Sequence, residues 1–266
     1  MSDQATTFRQ LHAGPDILVL PNAWDAASAA MMEDAGAKAV ATSSAAVAWA
    51  HGYADGDILP IPTLLGALGE MARVLSVPLT ADLEGGYTDD LPTLSETIKG
   101  VIGAGAVGIN FEDGARSPEL HVRKIETVRE GAAKAGVALF INARIDVYLR
   151  GLAEGAPALA ETLGRAEAYR EAGADGIFVP GPTDETLIGT LAKEIALPLN
   201  VMGRGGVAPA ARLQELGVRR LSSATGPFRA AYAALGRVVA AYLQDGDASA
   251  LAEAGKGLPD LNKRFA

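Results

Sequence analysis

Three carboxylates close two apolar runs of this chain. Pro78-Leu-Thr-Ala-Asp82-Leu-Glu84-Gly-Gly-Tyr87 and Val107-Gly-Ile-Asn-Phe-Glu112-Asp113 each read as a β-strand with acid at its C-terminal end. In a parallel α/β protein that end is where ligands bind. Carboxylates converging there need a cation, since burying unpaired charge is costly. Asp82, Glu84 and Glu112 are therefore candidate metal ligands. Hard oxygen donors without Cys or His suit Mg²⁺, with Mn²⁺ as the alternative, rather than zinc. The competing reading has these acids capping helices or pairing with local arginines.

Arg144 closes Phe140-Ile-Asn-Ala-Arg144-Ile-Asp146. Its guanidinium fork suits a substrate carboxylate, and a salt bridge to Glu112 or Asp146 is compatible with that role. Ser43 and Ser44 end another run, where a hydroxyl and backbone N–H groups could hold a carboxylate or oxyanion. Residues 47–62, with His51, Gly52, Asp55, Gly56 and Asp57, read as a long loop of the kind that closes over a site. Met202-Gly-Arg204-Gly-Gly206 is a weak phosphate-binding signal. Asn200, just before it, faces inward and is a candidate substrate contact.

The elements that position these groups repeat along the chain. Asp34-Ala-Gly36-Ala, Gly103-Ala-Gly105-Ala, Lys134-Ala-Gly136-Val, Glu171-Ala-Gly173-Ala and Glu215-Leu-Gly217-Val each read as a helix ending on Gly and feeding a strand. Two further strands begin at Pro78 and Pro198. The strands predicted are 17–22, 38–43, 78–84, 107–112, 138–144, 175–180, 198–202 and 218–223. Eight β-α units fit a closed (β/α)₈ TIM-type barrel, with an open doubly wound sheet as the runner-up. The whole chain, 1–266, reads as one barrel domain, with about 242–266 as a C-terminal helical extension. Alternation places Thr80, Asp82 and Glu84 on one face, Gly108, Asn110 and Glu112 on another, and Asn142, Arg144 and Asp146 on a third. These polar faces look into the barrel.

Composition narrows the chemistry. The 266 residues carry a net charge of −9, which disfavours nucleic acid and anionic membranes as partners. There is no cysteine to act as nucleophile, acid or metal ligand. None of the Lys residues ends a strand, which argues against a Schiff-base aldolase. No Gly-x-Gly-x-x-Gly follows the first strand. The N-terminus lacks a signal-peptide pattern and no run reaches membrane-span length, so a soluble cytoplasmic protein is expected.

These features together resemble the isocitrate lyase/phosphoenolpyruvate mutase superfamily. The resemblance runs from about Leu18 to Leu235 and includes Pro21-Asn-Ala-Trp24-Asp25, Thr42-Ser43-Ser44, Asp82-Leu-Glu84-Gly-Gly-Tyr87, Glu112-Asp113, Asn-Ala-Arg144 and Gly226-Pro-Phe228. It implies a (β/α)₈ barrel, commonly a tetramer whose terminal helix swaps between neighbours; a homo-oligomer is expected. It implies Asp82 as the principal Mg²⁺ ligand, with Glu84 and Glu112 acting mainly through water. Ser43, Ser44 and Arg144 match groups holding the pyruvyl portion of the ligand, and Trp24 joins them as a substrate-binding candidate. Asp55 matches a gating-loop Asp, so the catalytic candidates are Arg144, Ser43 and Asp55.

The departures are informative. The Lys-[Lys/Arg]-Cys-Gly-His motif of the isocitrate and methylisocitrate lyases is missing: the corresponding stretch is Glu112-Asp-Gly-Ala-Arg-Ser-Pro-Glu-Leu-His121. The mutase loop pattern is reduced to Asp55-Gly-Asp57-Ile58. The sequence therefore predicts a Mg²⁺-dependent enzyme that cleaves a C–C bond of a small 2-oxo or 2-hydroxy dicarboxylic acid through a pyruvate-like enolate. Oxaloacetate decarboxylation is the favoured case. The alternatives are a P–C bond enzyme, phosphonopyruvate mutase or hydrolase, and a non-catalytic 2-oxo-acid binding protein.

Overall fold

Helices here end on glycine and turn at once into strands. Gly105 and Gly173, both at φ 106°, take the left-handed conformation that only glycine adopts without strain. Each sits two residues after a helix and three residues before a strand, so the chain reverses direction in minimal length. The computed structural model describes residues 2–266. In chain order its strands are β1 (Leu18–Leu20), β2 (Asn22–Ala23), β3 (Val40–Thr42), β4 (Leu79–Asp82), β5 (Gly108–Glu112), β6 (Phe140–Arg144), β7 (Gly176–Phe178), β8 (Leu199–Met202) and β9 (Arg220–Ser222).

All the pairings are parallel, in the order β1-β9-β8-β7-β6-β5-β4-β3-β2. The first predicted strand, 17–22, is split at Pro21 into β1 and β2. Proline has no N–H to give the ladder, and the chain uses that break to change neighbours. β1 pairs with β9 through Leu18↔Arg220, and β2 pairs with β3 through Asn22↔Ala41. The two segments thus close an eight-position barrel of the TIM type. Asn22 seals the seam: its side chain donates to Thr42 O at 2.7 Å and accepts from Ala224 N at 2.9 Å.

The helices are α1 (Ser2–Ala13), α2 (Ala26–Asp34), α3 (Ser44–Ala50), α4 (Ile61–Val74), α5 (Leu91–Gly103), α6 (Pro118–Lys134), α7 (Gly155–Glu171), α8 (Glu185–Glu194), α9 (Ala210–Glu215), α10 (Gly226–Asp245), α11 (Ser249–Ala254) and α12 (Leu261–Phe265). The main core lies between strands and helices, with Ile109, Phe111, Ile141, Ala143 and Ile177 facing outward into it. A second apolar layer fills the barrel's N-terminal end, where α1 inserts Phe8 against Leu18, Val107 and Phe140. Gly108 is needed there, because a Cβ would stand 2.6 Å from the Phe8 ring. With that end plugged, the C-terminal mouth is the end at which the inward polar residues of the strands can meet a ligand.

The tail departs from the barrel. α10 runs unbroken from Gly226 through the region predicted to begin an extension, and it buries only Phe228. α12 folds back, where Arg264 pairs with Glu33 at 2.7 Å and Asp34 at 2.9 Å. Among the described residues no helix is long and apolar enough to cross a membrane.

Phe8→Ala is expected to destabilise the fold by about 3–5 kcal/mol, read from urea denaturation, because a fully buried aromatic leaves a cavity its neighbours cannot fill. A loss below about 1 kcal/mol would show that α1 is not the plug of the barrel.

Candidate functional site

β4 ends on Asp82, whose backbone N–H donates to Thr42 Oγ1 at 2.8 Å. That bond ties the acid to the neighbouring strand. Asp82 Oδ2 accepts from the N–H of Ser44 at 3.2 Å and from its hydroxyl at 3.1 Å. Ser43 is the N-cap of α3, its hydroxyl accepting from Ala46 N at 3.4 Å. The helix shortens the predicted 47–62 loop, since α3 reaches Ala50 and irregular chain runs only from 51 to 60.

Two strands away, Arg144 is enclosed by acid. Its Nε and Nη2 meet Asp146 at 2.6 and 3.0 Å, and its Nη1 meets Glu112 at 2.5 Å. One N–H remains on each terminal nitrogen. Arg144 is held strongly in its charged form: burial opposes this, but Glu112, Asp146 and Asp82 outweigh it.

These groups share one cavity of about 210 Å³ at the C-terminal mouth. Ser43, Ser44, Asp55, Asp82, Asn110 and Arg144 line one part of it, and Leu149, Phe178, Pro180 and Met202 line another. Asp55 reaches the cavity from the loop. Its carboxyl is pushed up by burial and then by Asp82, against the pull of Arg144 and the Ser44 hydroxyl.

Glu84 is placed differently from the strand alternation expected. β4 has ended, and Glu84 takes φ 49°, turning its side chain toward the loop. Its Oε2 accepts from Gly56 N at 2.8 Å and from Asp57 N. Asp57 returns the contact, accepting from Gly85 N at 3.2 Å and Tyr87 N at 3.0 Å. Arg116 then bridges Asp57 at 2.8 Å and Asp89 at 2.6 Å. The loop carrying Asp55 is therefore held down by reciprocal carboxylate-to-backbone bonds.

The donor set fits a hard divalent cation. Glu84 is pushed up to about 7 by burial and by Asp55, Asp57 and Asp82, against the Asp57 N–H. Its Oε1 is buried without a partner. Glu112 is pushed up to about 8 by burial, with Asp146 and Asp82 adding to the effect and Arg144 and Arg150 opposing it. Acids crowded beyond their counter-charges are what a cation relieves. Among the described residues no three acid or imidazole side chains form a ready cage. Mg²⁺ does not require one, since it keeps several waters and takes one or two carboxylates. Asp82 is the acid that lines the cavity from a strand end; Glu84 and Glu112 stand behind it.

The structure thus brings Ser43, Ser44, Asp55, Asp82 and Arg144 onto one cavity. Trp24 and Asn200 are not among its lining residues. Trp24 packs edge-on against Phe228 at 5.3 Å, and Asn200 is fully buried, within 3.3 Å of the Ser222 hydroxyl. Arg204 is exposed. Sequence reasoning did not single out Asn22, Asn110 or Ser222 as lining residues, although the inward alternation already contained Asn110. It also passed over Asp113, which is buried and accepts from Asp146 N at 3.0 Å, Arg165 at 2.8 Å and the Tyr169 hydroxyl at 2.8 Å. Those bonds fix the turn that carries Asp146 to Arg144.

Comparison with known proteins agrees with this architecture. A family model described as phosphoenolpyruvate phosphomutase matches residues 8–243. An uncharacterised protein of Mycobacterium tuberculosis is 33% identical over 229 residues, covering 84% of each chain. An oxaloacetate decarboxylase of Pseudomonas fluorescens is 27% identical, covering 85% of this chain and 80% of its own. A crystallised Burkholderia cenocepacia protein, provisionally named a phosphonomutase, superposes with a TM-score of 0.86 at 39% identity, covering 90% of this chain and 99% of its own.

A Cβ on Gly85 would stand 2.1 Å from Arg116 Nη1. Gly85→Ala is therefore expected to displace that flexible side chain from Asp57 with a stability cost under about 1 kcal/mol. Limited proteolysis within 51–60 should then proceed faster than in the parent protein. Unchanged cleavage would show that Arg116 does not restrain the loop.

Proposed function

The chain belongs to the phosphoenolpyruvate phosphomutase family, and we propose on that premise that it is a Mg²⁺-dependent carbon–carbon lyase of small 2-oxo dicarboxylic acids, with oxaloacetate decarboxylation as its reaction. The observation that carries the reading is the division of the cavity. Among the described residues lining it Arg144 is the one cation, set beside Asp55 and Asp82, while Leu149, Phe178, Pro180 and Met202 form an uncharged wall.

Arg144 has N–H groups left to hold the carboxylate next to the oxo group. Asp82, with Glu84 and Glu112 behind it, would hold the cation, which supplies Lewis-acid stabilisation of negative charge on the oxo oxygen. The remote carboxylate then lies against the apolar wall, where its charge is poorly solvated and neutral CO₂ is favoured. The bond between C3 and the remote carboxyl carbon breaks, and its electron pair moves to the oxo oxygen, giving the pyruvate enolate. A proton from solvent at C3 completes pyruvate, so no cysteine acid is required. The loop from 51 to 60, held by Glu84 and Asp57, brings Asp55 to the cavity. Similarity to an oxaloacetate decarboxylase supports this reading. Leu149, Phe178, Pro180 and Met202 offer no side-chain donor to a phosphonate group, which disfavours the P–C alternative.

The same reading makes the protein a homo-oligomer. Tyr232, Leu235, Tyr242 and Leu243 on α10 are exposed, and so is Val19 on the outer face of β1 at 54%. A second copy of this chain is the occupant proposed for that apolar surface. Leu243→Asp with Leu235→Asp is expected to lower the mass measured by light scattering; an unchanged mass would remove this part of the reading.

The enzymatic test is an NMR time course with Mg²⁺, offering oxaloacetate and phosphonopyruvate in parallel against protein-free controls. Pyruvate is expected from oxaloacetate above background. The activity should be lost with EDTA and lowered about 10²-fold or more in kcat/KM by Asp82→Ala. Phosphonopyruvate turnover would move the protein to the P–C branch. Thermal stabilisation by pyruvate without turnover of either compound would make it a binding protein.

A further inference from the structure

Two residues before Glu112, Arg144 and Ser222, on the same inward faces, stand Asn110, Asn142 and Arg220. Register brings Asn110 level with Asp82 on one side and Asn142 on the other. Arg220 is fully buried inside the barrel, and Phe8 of the plug lies 6.0 Å from its guanidinium carbon. It faces no carboxylate at ion-pair distance among the described residues. Its Nη2 donates to Asn110 Oδ1 at 2.9 Å, while Nε and Nη1 have no protein partner.

A guanidinium in that position settles an ambiguity. The two ends of an asparagine amide have the same shape, and only the neighbours decide which is oxygen. Arginine carries five N–H donors and no acceptor, so the end of Asn110 that meets Arg220 must be the oxygen. Asn142 meets the same oxygen at 2.9 Å and must therefore present its Nδ2. Both lone pairs of Asn110 Oδ1 are then occupied. Its NH₂ group is turned to the other side, and Asn110 lines the cavity with Asp82 and Arg144.

We propose that Asn110 is a substrate-binding residue donating from Nδ2 to an anionic oxygen of the ligand, and that Arg220 is the positioning residue that fixes this polarity. The ligand class is a small planar oxyanion, a 2-oxo carboxylate or its enolate, and to that extent the proposal rests on the oxo-acid reading above. A donor fixed in advance where charge develops needs no reorganisation during the reaction. Arg220 contributes without touching substrate, through one amide.

Binding of oxalate, a stable mimic of the enolate, and of pyruvate is measured by calorimetry with Mg²⁺ present, alongside melting temperature. Asn110→Asp keeps the shape and gains an ion pair with Arg220, so it should melt no lower than the parent. It presents oxygen instead of N–H to the cavity, and oxalate affinity should fall about 10²-fold. Its Mn²⁺ affinity, read by electron paramagnetic resonance without oxalate, should not fall, separating loss of a donor from loss of metal. Arg220→Gln can accept as well as donate, which frees the amide to turn; about a tenfold loss is expected, larger in kcat than in KM. Arg220→Lys only donates and should restore most of the affinity.

Parental oxalate binding in Asn110→Asp would overturn the proposal. Equal losses in the Gln and Lys variants would overturn the role of Arg220. If neither substitution at 220 folds, Asn110→Asp decides alone. A parent protein that binds neither oxalate nor pyruvate would sink both this proposal and the oxo-acid reading, whereas parental binding with an indifferent Asn110→Asp sinks this one only.

Discussion

A closed parallel barrel turns the inward face of every strand into one lumen, and the polar groups placed there have chiefly one another as partners. This constraint organises the molecule. Arg144 lies between Glu112 and Asp146, which neutralise a guanidinium that little solvent reaches. Outside the lumen, between barrel and helix, buried Asp113 is likewise satisfied by Arg165 and Tyr169 of α7 and by a backbone N–H. Phe8 seals one end, so polarity increases along the axis from an aromatic floor, through an amide and guanidinium layer, to the acids at the mouth. The gradient is a direct product of alternation along strands whose outward positions are Ile, Ala and Phe.

That organisation explains how much was readable from sequence. Glycine after each helix and proline before two strands are local signals with one geometric meaning, so the barrel and the strand ends were visible. Two-residue alternation correctly grouped Asn110 with Glu112 and Asn142 with Arg144, because those residues lie within strands. It failed at Glu84, which lies beyond the last residue of β4 at φ 49° and no longer obeys a strand's period. Ser43 was legible as a polar strand end, but its capping of α3 shortened a loop read as continuous to Pro62. The contact between Arg220 and Asn110 joins residues 110 positions apart, and no local pattern announces it. Trp24 was a residue of a shared motif, and its place against Phe228 depends on where α10 begins.

The cavity also shows how a common scaffold acquires different chemistry. Strand ends supply Asp82 and Arg144, whereas Leu149 and Pro180 come from segments between strands and helices and Asp55 from the segment between α3 and α4. Variation in those segments changes what faces the bond to be broken while leaving the charged layer intact. The short segment from Asp113 to Ser117 illustrates this: it carries Arg116, which binds Asp57 of the 51–60 loop.

The reciprocal bonds between Glu84 and Asp57 carry a kinetic meaning. Each acid is bound to backbone N–H groups of the other's segment, so lifting the loop cannot proceed one bond at a time without stranding a carboxylate beside other acids. Partial release of the loop is therefore a costly arrangement, and its bonds favour being made or broken together. Because Asp55 reaches the cavity from this loop, whatever the cavity holds is tied to the same set of bonds, and a change at Glu84 or Asp57 would be felt there without either residue lining it.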